Sequence, residues 1–167
     1  MNSGAGDKMV SLDSFKLIGI DVRTTNQAEV SGQGKIGELW GRFWSADVQG
    51  ALAKAAQEGD ARVYGCYTDY ENGAAGEYTI LIGRMAGQAE DVPVGLTTVH
   101  VPAAKYAVFT TRRGPFGEVV HEAWQRIWEW ASSSSEWERT YTGDFELYDE
   151  RSADPENAVV DIYIAVK

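Results

Sequence analysis

Two runs, Glu77-Tyr78-Thr79-Ile80-Leu81-Ile82-Gly83-Arg84 and Val159-Val160-Asp161-Ile162-Tyr163-Ile164-Ala165-Val166, decide the fold. Both are short, rich in β-branched and aromatic residues and flanked by polar segments, which predicts strands. Set against each other at an offset of 82, they keep Ile80 with Ile162 and Ile82 with Ile164. Each closes a similar series of elements.

Ahead of the first run, Arg62 to Tyr70 is a second strand-like stretch, joined to it by the hairpin connection Glu71 to Gly76. Further upstream, Ile36, Leu39, Trp40, Phe43, Trp44, Val48, Ala51, Leu52 and Ala55 recur at three- and four-residue spacing. That stripe predicts one helix of about five turns ending near Gly59. Phe15 to Val22 precedes it as a strand, with the flexible loop Ser31 to Gly34 between them. The second run has the same antecedents. Tyr141 to Tyr148 is a strand, linked onward through a loop containing Asp154-Pro155. Gly114-Pro115 opens a helix whose stripe is Val119, Val120, Ala123, Trp124, Ile127, Trp130 and Ala131, stopping in Ser132 to Ser135. Leu96 to Val101 and Tyr106 to Thr111 are extended around Pro102, and Gly87 to Gly95 links the halves.

The chain therefore reads as a duplicated β-α-β-β unit, over about 15–86 and 95–167. Two further alignments accompany it. Gly37-Glu38-Leu39 with Trp44 lies on Gly117-Glu118-Val119 with Trp124 at an offset of 80, and Gly65, Tyr67 and Tyr70 lie on Gly143, Phe145 and Tyr148 at 78. The repeated element order is the stronger evidence. The expectation is an α+β fold, a single domain over 11–167 after a disordered lead-in at 1–10. Its halves would form a pseudo-twofold antiparallel sheet, with two main helices on one face and a cleft between them.

Composition bounds what such a domain can do. At 167 residues the chain buries a sizeable core without staples, and its lone Cys66 excludes an intrachain disulfide framework or a cysteine-rich zinc site. A net charge of −10 argues against bulk nucleic-acid binding and favours cations around the protein. No apolar run approaches the ~18–20 residues that span a bilayer, and no signal-peptide core is present, so a cytoplasmic soluble protein is expected.

Motifs for nucleotide, serine-hydrolase, zinc-protease or dithiol chemistry are missing. His100 and His121 read as ordinary surface or cap residues, Cys66 as a small buried hydrophobe, and no metal or cofactor is expected. The sharper feature is Gly143-Asp144-Phe145-Glu146-Leu147-Tyr148-Asp149-Glu150, a carboxylate set among aromatics in a strand. Glu146 and Tyr148 are two residues apart and share a face. Facing inward, Glu146 would be a buried charge that takes up a proton or awaits a cation; facing outward, it is an ordinary strand glutamate. Helix-spaced aromatics such as Trp40, Phe43, Trp44 and Trp124 are core unless a cavity lies between them.

Val101-Pro102-Ala103-Ala104-Lys105-Tyr106-Ala107-Val108-Phe109, followed by Gly114-Pro115 and Trp124-Gln125-Arg126-Ile127-Trp128-Glu129-Trp130, resembles the gyrase-inhibitor-like domain. This is also the effector-binding domain of AraC-type and MerR-type multidrug-responsive regulators. Phe145-Glu146-Leu147-Tyr148 looks like its late strand motif and Asp161-Ile162-Tyr163-Ile164 its closing strand, so the resemblance spans Phe15 to Lys167. It implies a pocket between the halves for bulky lipophilic cations, with the family's glutamate at Glu146, its tyrosine after the proline motif at Tyr106, and Tyr148 beside the glutamate. The repeat adds Tyr70 and Tyr78 to the other half of the pocket, and the helix stripe adds Trp40 and Phe43 as a roof.

The family's regulators carry a helix-turn-helix domain, and only about 14 residues precede the first strand here. The expectation is a stand-alone member without direct DNA binding, acting in sensing or sequestration of lipophilic cationic small molecules, as a homodimer or through a separate DNA-binding partner. Two other readings stay open. Glu146 could act as a general base in a hydrolase of small electrophiles, although one carboxylate without a second acid or nucleophile weighs against catalysis. A protein-binding role such as gyrase modulation would use the acidic loop from Asp149-Glu150 to Glu156.

Overall fold

The computed structural model describes residues 8–32, 34–72, 76–87, 92–133 and 138–167. Residues 1–7 of the expected lead-in, Gln33, 73–75 of the hairpin connection, 88–91 of the linker and 134–137 beyond the second helix lie outside the described residues. In chain order the elements are β1 (Lys8–Leu12), β2 (Phe15–Thr25), α1 (Asn26–Val30), α2 (Ile36–Phe43), α3 (Ala46–Ala55), β3 (Val63–Thr68) and β4 (Glu77–Met85). The second half follows with β5 (Thr97–Val101), β6 (Ala104–Thr110), α4 (Phe116–Ser133), β7 (Asp144–Tyr148) and β8 (Asp161–Val166).

All eight strands join one antiparallel sheet in the order β1-β6-β8-β7-β3-β4-β2-β5. Read inward from both edges, that order pairs β1 with β5, β6 with β2, β8 with β4 and β7 with β3, which is the twofold arrangement the repeat predicts. Each half has one strand more than the β-α-β-β unit at its start: β5 is the first of the two extended segments read around Pro102, whereas β1 was not expected. The strands β1 and β5 cross over, β1 running along β6 of the second half and β5 along β2 of the first. Lys8 to Val10, expected in the lead-in, are thus part of the sheet.

The strands also correct the alignment of the halves. Val63 and Asp144 open β3 and β7 at an offset of 81, and Lys8 and Thr97 open β1 and β5 at 89. At 81, Tyr67 corresponds to Tyr148 and Gly65 to Glu146. The two positions Gly65 and Glu146 are also direct partners across the central β3–β7 ladder. They therefore lie on the pseudo-dyad.

The expected five-turn helix is two helices. The chain breaks after Trp44, where Ser45 adopts an extended backbone and its hydroxyl accepts from the Val48 N–H as the N-cap of α3. The stripe runs through the break because both pieces pack on the same strands: Leu39, Phe43, Leu52 and Ala55 meet Ile18, Ile20, Ile80 and Ile82. On the same sheet face, α4 sets Ala123, Ile127 and Trp130 against Phe109, Ile162 and Ile164. The short helix α1 was not expected; Thr25 caps it by accepting from the Ala28 N–H.

The other face holds a core made entirely of strand residues, including Leu17, Tyr64, Cys66, Leu81, Tyr106 and Phe145. Phe15 on β2 and Phe145 on β7 have β4 and β3 between them, yet their rings are 5.4 Å apart. A flat sheet would separate those strands by about 14 Å, so the sheet curls towards this face and closes over its own side chains.

Candidate functional site

With α2 over one half of the sheet and α4 over the other, β3 and β7 form the floor between the helices. Strand alternation points Gly65 and Tyr67 of β3, and Glu146 and Tyr148 of β7, to the helix side. Gly65 leaves the space across the ladder open, and Glu146 occupies it.

Glu146 is 3% exposed. Its Oε2 accepts from the Tyr67 hydroxyl at 2.8 Å and from the Trp124 indole N–H at 2.7 Å, and its Oε1 accepts from the Tyr148 hydroxyl at 2.7 Å. All three donors are neutral. Burial pushes the carboxyl up, the donors from Tyr148, Trp124 and Tyr67 pull it back, and the balance stays above the ordinary carboxylate value. Burial, and then the nearby Glu146 charge, push the Tyr67 and Tyr148 phenols well up, so they remain hydroxyl donors.

A cavity of about 560 Å³ opens above this carboxylate, walled by Trp40, Tyr67, Tyr70, Tyr78, Trp124 and Trp128. Tyr67 and Trp124 meet edge-to-face at 5.2 Å, and Trp40 meets Tyr148 at 5.1 Å. At the rim, Tyr78 donates its hydroxyl to Asn26 Oδ1 at 2.9 Å. Glu29 accepts from the Thr24 hydroxyl and the Lys35 N–H, which ties α1 to the start of α2 and holds Trp40 over the cavity.

Arg139 also lines the cavity, but its charge is taken. Its Nη2 lies 2.7 Å from Asp144 Oδ2 in a fully buried ion pair, and the guanidinium sits 4.4 Å over the Tyr141 ring. This pair is built by a bulge. Arg139 bridges to Val166, but Tyr141 at φ 56° and Gly143 at φ 157° turn the chain out before β7 resumes. Asp144 Oδ1 then accepts the Ala165 N–H in place of a ladder carbonyl, and the Tyr70 hydroxyl donates to Oδ2. Glu146 is left as the buried charge without a cationic hydrogen-bond partner among the described residues.

Five of the seven residues expected at a site, Glu146, Tyr148, Tyr70, Tyr78 and Trp40, come together around this cavity. Two do not. Tyr106 lies opposite Ala165 on the helix-free face, against Phe145 and Tyr163, because alternation along β6 turns it away. Phe43 is fully buried beneath α2 against Ile80 and Ile82, so it supports the roof without lining it. Tyr67 and Trp124, which hold the carboxylate, are not among those seven, although Trp124 belongs to the helix-spaced aromatics whose role turned on a cavity between them. Tyr67 is the repeat partner of Tyr148 at the corrected offset, and that was its one signal. His121 is exposed on α4 at the cavity rim, and His100 is exposed on β5. Among the described residues no group of three or more His, Cys, Asp or Glu could hold a metal ion. The acidic loop is mostly occupied with itself: Asp149 pairs with Arg151, and Asp154 accepts from the Glu156 N–H and the Asn157 amide.

No helix among the described residues is long and apolar enough to cross a membrane. The putative transcriptional regulator protein YobU of Bacillus subtilis is 37% identical over 156 residues, which are 93% of this chain and 94% of YobU. The integron cassette protein from the mobile metagenome of Vibrio cholerae superposes with a TM-score of 0.74 at 28% identity, covering 96% of this chain and 95% of that one. The structure of SAV2435 bound to tetraphenylphosphonium gives a TM-score of 0.77 at 18% identity, over 96% and 93% of the two chains, and shares the fold. Residues 8–166 match the model of the Cass2 family, and the chain belongs to these integron-associated effector-binding proteins.

Proposed function

We propose that the cavity binds amphipathic, lipophilic organic cations, with Glu146 as their countercharge, and that the protein acts in sensing or sequestering them. The carrying observation is a fully buried carboxylate held by three neutral donors at the floor of an aromatic chamber. Such a group is destabilised by its burial, and an incoming cation relieves that cost. At about 4 Å and an effective dielectric of 20 the attraction is roughly 4 kcal/mol. Each aromatic face adds about 0.5–2 kcal/mol by cation–π attraction. Apolar burial supplies the remaining affinity and tolerates varied shapes. The net charge of −10 concentrates cations around the protein. Supporting the same reading, SAV2435, of like fold, has been solved with tetraphenylphosphonium, itself a lipophilic cation.

The test compares methyltriphenylphosphonium with neutral triphenylphosphine oxide by tryptophan quenching, on the wild type and Glu146→Gln. Saturable binding of the cation, at least tenfold tighter than the oxide and losing that preference in the variant, is expected. Equal binding of the two, or none, overturns the proposal.

A further inference from the structure

Beyond Trp40 and Tyr148 the cleft opens a second time. A chamber of about 840 Å³ lies between the end of α2, the segment before β3, the start of α4 and the turn after β7. Trp40 and Tyr148 line both chambers, and Phe116 completes the partition, its ring 6.3 Å from each of theirs. Glu146 is not part of this outer chamber.

We infer that the outer chamber is a separate binding site for uncharged planar aromatic molecules. Its size is that of a drug-sized pocket. Trp44 is 59% exposed and Phe116 37%, and both face the chamber. Large aromatic rings left open beside a concavity gain most from a flat apolar occupant. The ionic groups beside them are paired with each other. Arg62 grips Asp60 with Nε–Oδ1 at 3.0 Å and Nη2–Oδ2 at 2.8 Å, and Asp149 is held by Arg151 through two nitrogens. Glu150 sits exposed on the rim, where solvent screens it. The outer chamber thus has aromatic walls without a buried unpaired charge, and it lacks the buried countercharge that the inner one offers a cation. It stands independently of the assignment of cations to Glu146.

The test uses the neutral dye N-phenyl-1-naphthylamine, whose emission rises in apolar surroundings, titrated with and without saturating methyltriphenylphosphonium. One dye per chain is expected to bind in the presence of the cation. Trp44→Ala should weaken that binding tenfold or more, and Trp44→Phe should stay within about threefold. Displacement of the dye one-for-one by the cation, equal affinity in Trp44→Ala, or no dye binding would overturn the inference. Should the cation itself fail to bind, the reading of Glu146 falls, and the dye titration on wild type and Trp44→Ala still decides this one.

Discussion

Gly65 faces Glu146 directly across the β3–β7 ladder, and a Cβ placed on Gly65 would come within 3.2 Å of Glu146 Oε1. The repeat fills one position twice, once with a carboxylate and once with no side chain, and the second makes room for the first. Gly65→Ala obliges the carboxylate to give by a few tenths of an ångström, against three hydrogen bonds of 2.7–2.8 Å. The expected outcome is a thermal midpoint close to wild type, with cation affinity down by about three- to tenfold. Gly65→Val should lose more. Unchanged affinity in both would show that the carboxylate's position is not critical.

Glu146→Gln should stabilise the ligand-free protein at neutral pH. Burial raises this carboxyl above its ordinary value. A group raised on folding contributes its full stability below the unfolded value, and loses it as pH rises through the folded one. The wild type should therefore match Glu146→Gln near pH 4 and fall behind it towards pH 7. The Gln oxygen can take over the Tyr67 and Trp124 bonds, and its amide can donate to the rotatable Tyr148 hydroxyl. Urea midpoints at several pH values check this; a difference between the two that does not grow with pH counts against it.

Trp124→Phe removes the indole N–H that lies 2.7 Å from Glu146 Oε2. A hydrogen bond to a charged group is worth about 1.5–3 kcal/mol, and this one favours the ionised form that attracts cations. The pH at which cation affinity is half lost should move upward in Trp124→Phe, and Tyr67→Phe should shift it in the same direction. Affinity titrations from pH 5 to 8 read the shift. A movement downward would mean that the donors do not stabilise the carboxylate.

These side chains show where the sequence was informative. Periodicity placed the strands and both helical stripes, and the repeated order gave the twofold sheet. Alternation set Glu146 and Tyr148 on one face, but it could not decide between Tyr106 inside the cleft and Tyr106 behind it. That depends on which face of β6 meets α4. The five residues of β1 carry no signal until the edge of β6 is there to pair with them. Trp124 sat in the helix stripe as one more buried ring, because a 3.6-residue period reports a face and not where an N–H points. The bulge at 141–143 hid the Arg139–Asp144 pair, since neither residue's partner follows from strand spacing.

Cys66 should be inert in the native protein. It is fully buried on the helix-free face, and burial pushes its thiol well up, leaving no thiolate to react. Modification by an aromatic disulfide reagent should proceed only through unfolding, roughly a thousandfold or more slower than in urea. Rapid labelling without denaturant would show that the curled face opens.

Arg139→Met should be among the most damaging single changes near the site. It leaves Asp144, which is 0% exposed, without its cation. Breaking a buried pair from one side costs about 3–5 kcal/mol. The Ala165 N–H and the Tyr70 hydroxyl still donate to the stranded carboxylate, which places the cost nearer the lower end. Arg139→Met with Asp144→Asn should recover much of the loss, because the Asn oxygen can accept the Ala165 N–H while carrying no charge. Urea denaturation of the three proteins separates the cases. A double variant as unstable as the single one would show that Arg139 holds the bulge by packing on Tyr141, where its guanidinium lies 4.4 Å from the ring, and not by neutralising Asp144.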